Sequence, residues 1–381
     1  MKTFKYLLLI ILMLTGCVVQ FVPEAGDYKD YIVVDALITD QNNTYKIEIS
    51  KTAPLGETFS RLPVTGGQVT ITDDLGNNFQ FTEALSGQYI SDSLAFRGQV
   101  GRSYTLHIKA DGHQYESMPV EMKPVPPIDS LYAEIIDNNT YEFGKIVQGY
   151  QVYLDTHDPT NECKFFRWDF AETWEFHIPY FFETIVNTTC WKSAPSKEIY
   201  IENTSSLIED RVSGFPLNFI TTETDRLTRK YSILLRQYSL NEDEFNYWDK
   251  LKRITEEVGG LYDVVPVSIE SNIFCTDSPE EKVLGYFSVS SVSTKRLFIK
   301  SALRGFPDFY KSCPFDTVSV RESIPFLNIT VFILQYYDPM QSQYILTLDK
   351  RCVDCTQSGT NKMPDYWNPE KNDIVIENAL R

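Results

Sequence analysis

The chain has 381 residues, with 35 lysines and arginines against 52 aspartates and glutamates, which gives a formal net charge of −17 at pH 7. So negative a chain repels nucleic acids and anionic membrane surfaces, and we expect no nucleic-acid partner. Its length leaves room for more than one domain.

The first seventeen residues, MKTFKYLLLIILMLTGC, have the features of an export signal. Two lysines precede an apolar run over residues 7–14, which is too short to cross a bilayer as a stable anchor. Residues 14–17 read LTGC and resemble the lipobox of bacterial lipoproteins, which implies that Cys17 becomes a lipidated amino terminus. We therefore predict a signal peptide over residues 1–16 and a lipidated tether over residues 17–29. The alternative is an ordinary signal peptide in which the cysteine occurs by chance.

Short alternating segments begin at residue 30, among them YIVVDALITD, TYKIEIS, GQVTITDD and SYTLHIKADGHQYES, with Gly, Asn and Asp turns between them. Their spacing predicts an immunoglobulin-like β-sandwich over residues 30–123. The proline-rich stretch MPVEMKPVPPIDSLY cannot continue a central strand, so we place a domain boundary at residues 124–127. Residues 128–381 are expected to form a larger β-rich domain with one or two helices. The predicted fold class is therefore mainly β.

An aromatic segment, KFFRWDFAETWEFHIPYFFE, has a strong period of two. Aromatic and aliphatic side chains share one parity, which predicts a long strand or hairpin with an aromatic core face. A second interpretation makes Trp168 and Trp174 a ligand contact, because their rings could stack on sugars. The other parity is polar and is expected to face solvent or to pair across strands, although it could form a site if it lined a cleft. Its members are Arg167, Asp169, Glu175 and His177.

One helix is predicted, in the segment NEDEFNYWDKLKRITEEVGG. Asn241 can cap its amino terminus, with Glu244 three residues later as in a capping box. Apolar residues follow at helical spacing, and Gly259 and Gly260 supply a stop. We expect this helix to pack across the larger β-domain.

Six cysteines remain besides Cys17, and an even number in an exported protein favours disulfides whose connectivity the sequence leaves open. Cys352 and Cys355 lie three residues apart with no histidine nearby, which argues against zinc. Their strand-to-loop setting argues against a thioredoxin-like redox pair. We expect them to staple a C-terminal loop, either to each other or to other cysteines. The candidate disulfide cysteines are Cys163, Cys190, Cys275, Cys313, Cys352 and Cys355.

Six phrases occur in order along the chain: YIVVDALITD, PVPPIDSLY, FRWDFAETWEFH, YSILLRQYSLNEDEFNYWDKLK, VLGYFSVSSVSTKR and CVDCTQSGTNKMPDYW. Together they resemble the Bacteroidota lipoproteins known as domain of unknown function 4249. The resemblance covers about residues 17–370 and implies an outer-membrane lipoprotein, often encoded beside TonB-dependent receptors, with no established enzymatic activity. It assigns no catalytic residue.

Signatures of catalysis are missing from the sequence, which has no G-x-S-x-G, no H-E-x-x-H and no Gly-rich phosphate loop,. His157 with Asp155 and Asp158 could bind a metal, but acidic turns of this kind are more often solvated loops. We predict no catalytic residue, no metal site and no cofactor.

The leading hypothesis is a non-catalytic lipoprotein anchored by Cys17 in the outer membrane, on its periplasmic side or at the cell surface. There it would act as accessory or partner of a TonB-dependent receptor in nutrient uptake or envelope function. The alternative is a surface lipoprotein that binds glycans or peptides directly. A hydrolase on a β-scaffold is the third hypothesis.

Overall fold

β-Strands make up most of the regular structure in the computed structural model, which confirms a mainly β fold. The predicted signal peptide, the tether and Cys17 lie outside the described residues. The structure describes residues 30–53, 61–92, 96–139, 146–179, 187–257, 269–309, 313, 316–319, 332–337, 343–347, 350–368 and 374–377.

Within the described residues the first sheet has eleven strands. Side chains alternate between the two faces of each strand, and those on one face form a shared core,. Val34, Ile47, Val69, Leu106 and Phe287 belong to this core. The strands run in the order β17-β8-β7-β4-β5-β6-β2-β1-β18, while β3 pairs with β2 and β9 with β7. Their bounds are β1 Ile32–Thr39, β2 Lys46–Thr52, β3 Arg61–Pro63, β4 Gln68–Asp73, β5 Asn78–Leu85, β6 Gln88–Ser91, β7 Ser103–Ala110, β8 His113–Ser117, β9 Val120–Glu121, β17 Ile273–Cys275 and β18 Val283–Ser290.

The two ends of this sheet approach each other, because β17 and β18 are consecutive in the chain and yet terminate opposite ends of the strand order. The side-chain amide of Asn272 bridges the gap: its Nδ2 donates to the carbonyl of Phe287, and its Oδ1 accepts from the Phe287 N–H, both at 2.9 Å. On the other side, the N–H of Met118 donates to the Asn272 carbonyl at 2.8 Å. The sheet is thereby closed almost into a barrel.

Residues 273–290 were expected in the larger C-terminal domain, and the structure places their strands in the first sheet instead. The cause is a parallel pairing of β18 with β1, from Ile32 opposite Val283 to Thr39 opposite Ser290. The first sheet is therefore not built from residues 30–123 alone. The boundary at residues 124–127 stays a prediction.

A second β-unit pairs two sheets around an aromatic core. One sheet has the order β10-β11-β15, and the other has the order β13-β12-β16-β19-β23 with β14 beside β12; β20, β22 and β21 form a further small sheet. The bounds are β10 Ile128–Asn139, β11 Ile146–Asp158, β12 Phe165–His177, β13 Thr189–Pro195, β14 Tyr200–Asn203, β15 Asp210–Thr221, β16 Lys230–Ser239, β19 Val292–Lys300, β20 Asp316–Ser319, β21 Phe332–Tyr337, β22 Gln343–Thr347 and β23 Ile374–Glu377.

The helix α1, Glu242–Glu257, begins where it was predicted. Asn241 caps it, since its Oδ1 accepts from the Glu244 N–H at 2.7 Å. Tyr247 on α1 lies against Tyr286 of β18, with ring centroids 4.7 Å apart, and Phe245 lies 5.2 Å from Phe165 of β12. The helix therefore contacts both β-units. The predicted stop at Gly259 and Gly260 lies outside the described residues.

The side chain of Glu244, in the first turn of α1, is fully buried. Burial raises the pKa of its carboxyl, and a hydrogen bond from Ser288 and the charge of Arg167 partly oppose this rise. When folding raises the pKa of a carboxyl, the free energy of unfolding falls as pH rises above the pKa of the unfolded state. The total loss is about 1.4 kcal/mol for each pH unit by which the pKa is raised. We therefore expect the wild type to lose stability, relative to Glu244→Gln, as pH rises through its ordinary value of 4.5.

Urea unfolding of both proteins between about pH 4 and about pH 8 measures this difference. Glu256→Gln on the exposed side of the same helix serves as the control. A stability difference between the wild type and Glu244→Gln that stays constant with pH would contradict the burial of the Glu244 carboxylate.

Candidate functional site

The cysteines form two disulfides, Cys190–Cys355 and Cys313–Cys352, each with 5.7 Å between the Cα atoms. The close pair therefore staples the loop to other cysteines and not to each other. The expectation that Cys163 and Cys275 are also bonded is wrong, because both are free thiols. Cys275 lies in the core of the first sheet and Cys163 in the core of the second unit, so the two thiols cannot meet.

Residues 350–368 form a compact C-terminal cap on the second unit. The cap contains three short 3-10 turns, Lys350–Cys352, Cys355–Gln357 and Asp365–Trp367. A backbone bridge joins Thr360 to Trp191 through hydrogen bonds of 2.8 and 2.9 Å. Within the cap, the Thr356 hydroxyl donates to Asp354 at 2.6 Å and lowers the pKa of that carboxyl. The closing cysteine motif thus has a structural role, as the staple interpretation predicts.

The polar face of β12 is covered at one end by this cap. Glu175 accepts hydrogen bonds from the Trp367 indole at 3.1 Å and from the His177 ring at 2.9 Å. The Thr173 hydroxyl bonds to the Tyr366 hydroxyl at 2.9 Å. Glu175 therefore lies under the cap, while His177, bonded to Glu175, borders a separate cavity of about 270 Å³.

The other end of the same face is covered by α1 and by β16. The Arg167 guanidinium lies between the rings of Tyr238 and Trp248, 4.4 and 4.5 Å from their centroids. Asp169 is paired with Arg236 across the strands and accepts from the Tyr238 hydroxyl at 3.0 Å. This pairing confirms the cross-strand interpretation for Asp169, and the four polar residues do not converge on one site.

Trp168 and Trp174, the candidate ligand contacts, are buried, with only 1% and 6% of their surfaces exposed. Trp168 stacks on Phe166, and its indole N–H donates to Gln237 at 2.8 Å. The Trp174 indole donates to Asp225 at 3.0 Å, and the Arg226 guanidinium lies 4.6 Å from the centre of its ring. Neither ring is open to a sugar, so the stacking platform proposed from the sequence is not available at these residues.

A cavity of about 250 Å³ opens beside β12 and β15, with Glu172 at its wall. Glu172 is buried, and its carboxylate accepts from the Tyr231 hydroxyl at 2.8 Å, from Asn218 Nδ2 at 2.5 Å and from Arg226 Nε at 3.0 Å. Burial, and after it the charge of Glu172, raises the pKa of Tyr231 well above its usual range. These three donors come from β15, from β16 and from the turn between them, so the Glu172 carboxylate helps to hold the two sheets together.

The lining of this cavity includes the exposed Lys197 and Glu198, the half-buried Arg226 and the buried ring of Tyr200. These side chains combine both charges with an aromatic ring, which suits recognition of a small polar molecule. The sequence offered no signal for this cavity, because its wall combines residues from separate strands and connections.

The candidate metal ligands His157, Asp155 and Asp158 each have a different partner. The His157 ring lies 2.6 Å from Asp129, and Asp155 accepts from the Gly214 N–H at 2.6 Å. Burial raises the pKa of the Asp158 carboxyl, but hydrogen bonds from the backbone of Cys163 and from neighbouring residues outweigh it, and the pKa is lowered overall. The Asp158 carboxylate accepts hydrogen bonds from backbone N–H groups of the turn that follows β11. These three residues therefore do not form a metal site.

A protruding loop, residues 204–209 between β14 and β15, presents two apolar side chains and is called the Leu–Ile loop below. Leu207 is 54% exposed and Ile208 is 99% exposed. The loop is held at its base, where the Thr204 hydroxyl donates to Asp210 at 2.9 Å and the Leu207 N–H donates to the Thr204 carbonyl at 2.8 Å. Sequence reasoning missed it, although an apolar pair within TSSLIED is a visible signal.

Among the described residues, no helix has the length and apolar character needed to cross a membrane. A search of curated proteins found no match. The sequence model of the family described as "Domain of unknown function (DUF4249)" matches residues 19–296. The matched part runs from before the first sheet into β19, and the C-terminal cap lies beyond it. Because the match covers more than half of the chain, this protein belongs to the DUF4249 family.

Proposed function

We propose that the protein is a non-catalytic lipoprotein of the outer membrane that acts by binding another envelope protein, with a TonB-dependent receptor as the expected partner. The LTGC sequence at residues 14–17 supports the lipid anchor. Four carboxylates accept hydrogen bonds from other groups of the protein, which supports a binding role over a catalytic one. They belong to Asp158, Asp169, Glu172 and Glu175.

The Leu–Ile loop is the observation that carries this proposal. Leu and Ile side chains each contribute roughly 1.5–3 kcal/mol when they are fully buried against a partner. The hydrogen bonds at the base of the loop restrict its backbone before binding, and such restriction lowers the entropic cost of association,. An exposed apolar tip on a braced base is therefore well suited to enter a pocket on a partner protein.

Affinity capture from mildly solubilised outer membranes tests this contact. The wild type is expected to recover a β-barrel receptor, and Leu207→Ser combined with Ile208→Ser is expected to recover at least about tenfold less, since each 1.4 kcal/mol corresponds to tenfold in affinity. Leu75→Ser is the matched control, because Leu75 is 72% exposed in a turn braced by Asp73.

Equal recovery by the double variant and the wild type would exclude the Leu–Ile loop as the contact. Recovery of no receptor by the wild type would contradict the proposed partner itself. The lipid anchor is tested separately. Mass spectrometry of the mature amino terminus is expected to find acyl chains on Cys17. A Cys17→Ser variant is expected to be absent from the outer-membrane fraction.

A second candidate function, direct binding of a glycan or peptide, is favoured by the cavity beside Glu172. The exposed side chains of Lys197 and Glu198 in its lining supply charged hydrogen-bonding groups,. Calorimetric titration with oligosaccharides and short peptides tests it, with Glu198→Ala and Lys197→Ala expected to weaken any binding that occurs there. Binding that is insensitive to both substitutions would exclude the cavity.

A further inference from the structure

The edge of the first sheet brings together four side chains with different metal-binding atoms. His113 begins β8, and Cys275 ends β17, which pairs antiparallel with β8. The turn after β17 carries Asp277 and Glu281 and folds back through a hydrogen bond of 2.9 Å from the Glu281 N–H to the Ser278 carbonyl. An imidazole, a thiol and two carboxylates thus meet at one point, although His113 and Asp277 are 164 residues apart in the chain.

The distances between the donor atoms suit a shared ion. The His113 Nε2 lies 3.5 Å from Glu281 Oε2, so these two atoms can bind one ion. The other ring nitrogen, Nδ1, lies 3.2 Å from Asp277 Oδ1, which places Asp277 behind the ring as a hydrogen-bond partner,. The Cys275 Sγ lies 2.9 Å from Asp277 Oδ1, and donor atoms of His113, Cys275 and Glu281 all fall within 4.8 Å of one another. In a tetrahedral zinc site with bonds of about 2.0–2.3 Å, neighbouring donors lie roughly 3.3–3.8 Å apart. Small side-chain rotations would bring this set to that spacing.

The surroundings of the cluster resemble those of a built metal site. The Tyr115 hydroxyl donates to Glu281 Oε1 at 2.7 Å, which fixes one carboxylate oxygen and leaves the other beside His113. Such outer partners orient the ligands in known metal sites. The Cys275 thiol is almost fully buried, while the side chains of His113 and Asp277 are 40% and 39% exposed. The cluster therefore has a buried floor and an open side through which an ion could enter.

We propose that His113 through Nε2, Cys275 and Glu281 bind one divalent transition-metal ion of the zinc class, with the fourth position open to water,. Asp277, beside Nδ1, orients the His113 ring,. A mixed set of nitrogen, sulfur and oxygen donors favours zinc over magnesium or calcium, which prefer oxygen alone. The bound ion would tie β8 and β17 to the turn before β18, next to the place where the first sheet closes. This site departs from the expectation of no metal drawn from the sequence, and it is independent of the proposed receptor contact.

Cobalt is the probe for the test, because Co²⁺ occupies zinc sites and gives a charge-transfer absorption band only when a thiolate binds it. The purified full-length protein, freed of metal by a chelator without reductant, is expected to bind one Co²⁺ with such a band and to release it to Zn²⁺. Cys275→Ser is expected to abolish the band. Cys163→Ser, which removes the other buried free thiol, is the matched control and should retain it.

Two histidine variants extend the test to residues whose replacement should not disturb folding. His113→Gln is expected to weaken Zn²⁺ binding by at least about tenfold in calorimetry and to remove the increase in Tm caused by Zn²⁺. His157→Gln is its control, since the His157 side chain is 38% exposed and also lies beside an aspartate. A missing thiolate band, a band that survives Cys275→Ser, or equal Zn²⁺ affinity in the two histidine variants would overturn the proposal. If Cys275→Ser fails to fold, the histidine pair decides.

Discussion

Replacing both Cys190 and Cys355 with alanine is expected to lower the free energy of unfolding by about 5 kcal/mol, the chain-entropy value for a loop of this length. The disulfide joins residues 165 apart, so its loss frees a long segment of the unfolded chain. It also removes the covalent link between the C-terminal cap and β13 and leaves the Thr360–Trp191 backbone bridge to hold them together. Denaturant unfolding measures the change, and reductant added to the wild type should lower the free energy of unfolding further, because it also breaks Cys313–Cys352.

The second disulfide and a free thiol provide the comparison. Cys313 and Cys352 are 39 residues apart, so removing their bond is expected to cost about 4 kcal/mol,. Cys163→Ala should cost on the order of 1 kcal/mol, because it removes one buried sulfur and no covalent bond,. Unfolding of the wild type that is insensitive to reductant would contradict the disulfides.

Trp168→Ala is expected to lower the free energy of unfolding by about 3–5 kcal/mol, the range for removal of a buried aromatic side chain. Besides leaving a cavity, the substitution removes the donor to Gln237, whose Nε2 in turn donates to Thr156 at 3.0 Å and to the Pro126 carbonyl at 2.8 Å. Trp168 therefore supports the connection between the two β-units as well as the core. Thermal and denaturant unfolding give the magnitude.

Ile208→Ala is the control for this experiment, because an almost fully exposed side chain should change stability by less than about 0.5 kcal/mol,. The result also separates two roles for Trp168. A sugar platform would lose ligand binding on substitution and keep its stability, whereas a core residue loses stability first. Unchanged stability in Trp168→Ala would contradict its burial.

Local patterns predicted several elements well. The period of two in residues 165–177 corresponds to β12, and the side chains of that parity are buried as expected. Asn241 caps α1 through the hydrogen bond that its position predicts. Both features depend on residues a few positions apart, where alternation or helical spacing determines which side chains share a face.

The pairing of the cysteines could not be predicted from local patterns. An even number in an exported chain predicts disulfides, and two exist. Cys163 and Cys275 remain thiols because they lie in the cores of different β-units, which a count of cysteines does not reveal. The aromatic segment had a similar limit, because alternation alone leaves open whether Trp168 faces a core or a ligand.

The sequence by itself determined the surplus of negative charge, which follows from composition, and many of the strands and the helix cap, which follow from neighbouring residues. Only the tertiary structure decided that β17 and β18 complete the first sheet and that His113 meets Cys275. It also decided that the C-terminal cap covers Glu175. The physical reason is that strand pairing depends on which arrangement buries the apolar face of every strand at once. Many pairings are compatible with the same local alternation of apolar and polar residues.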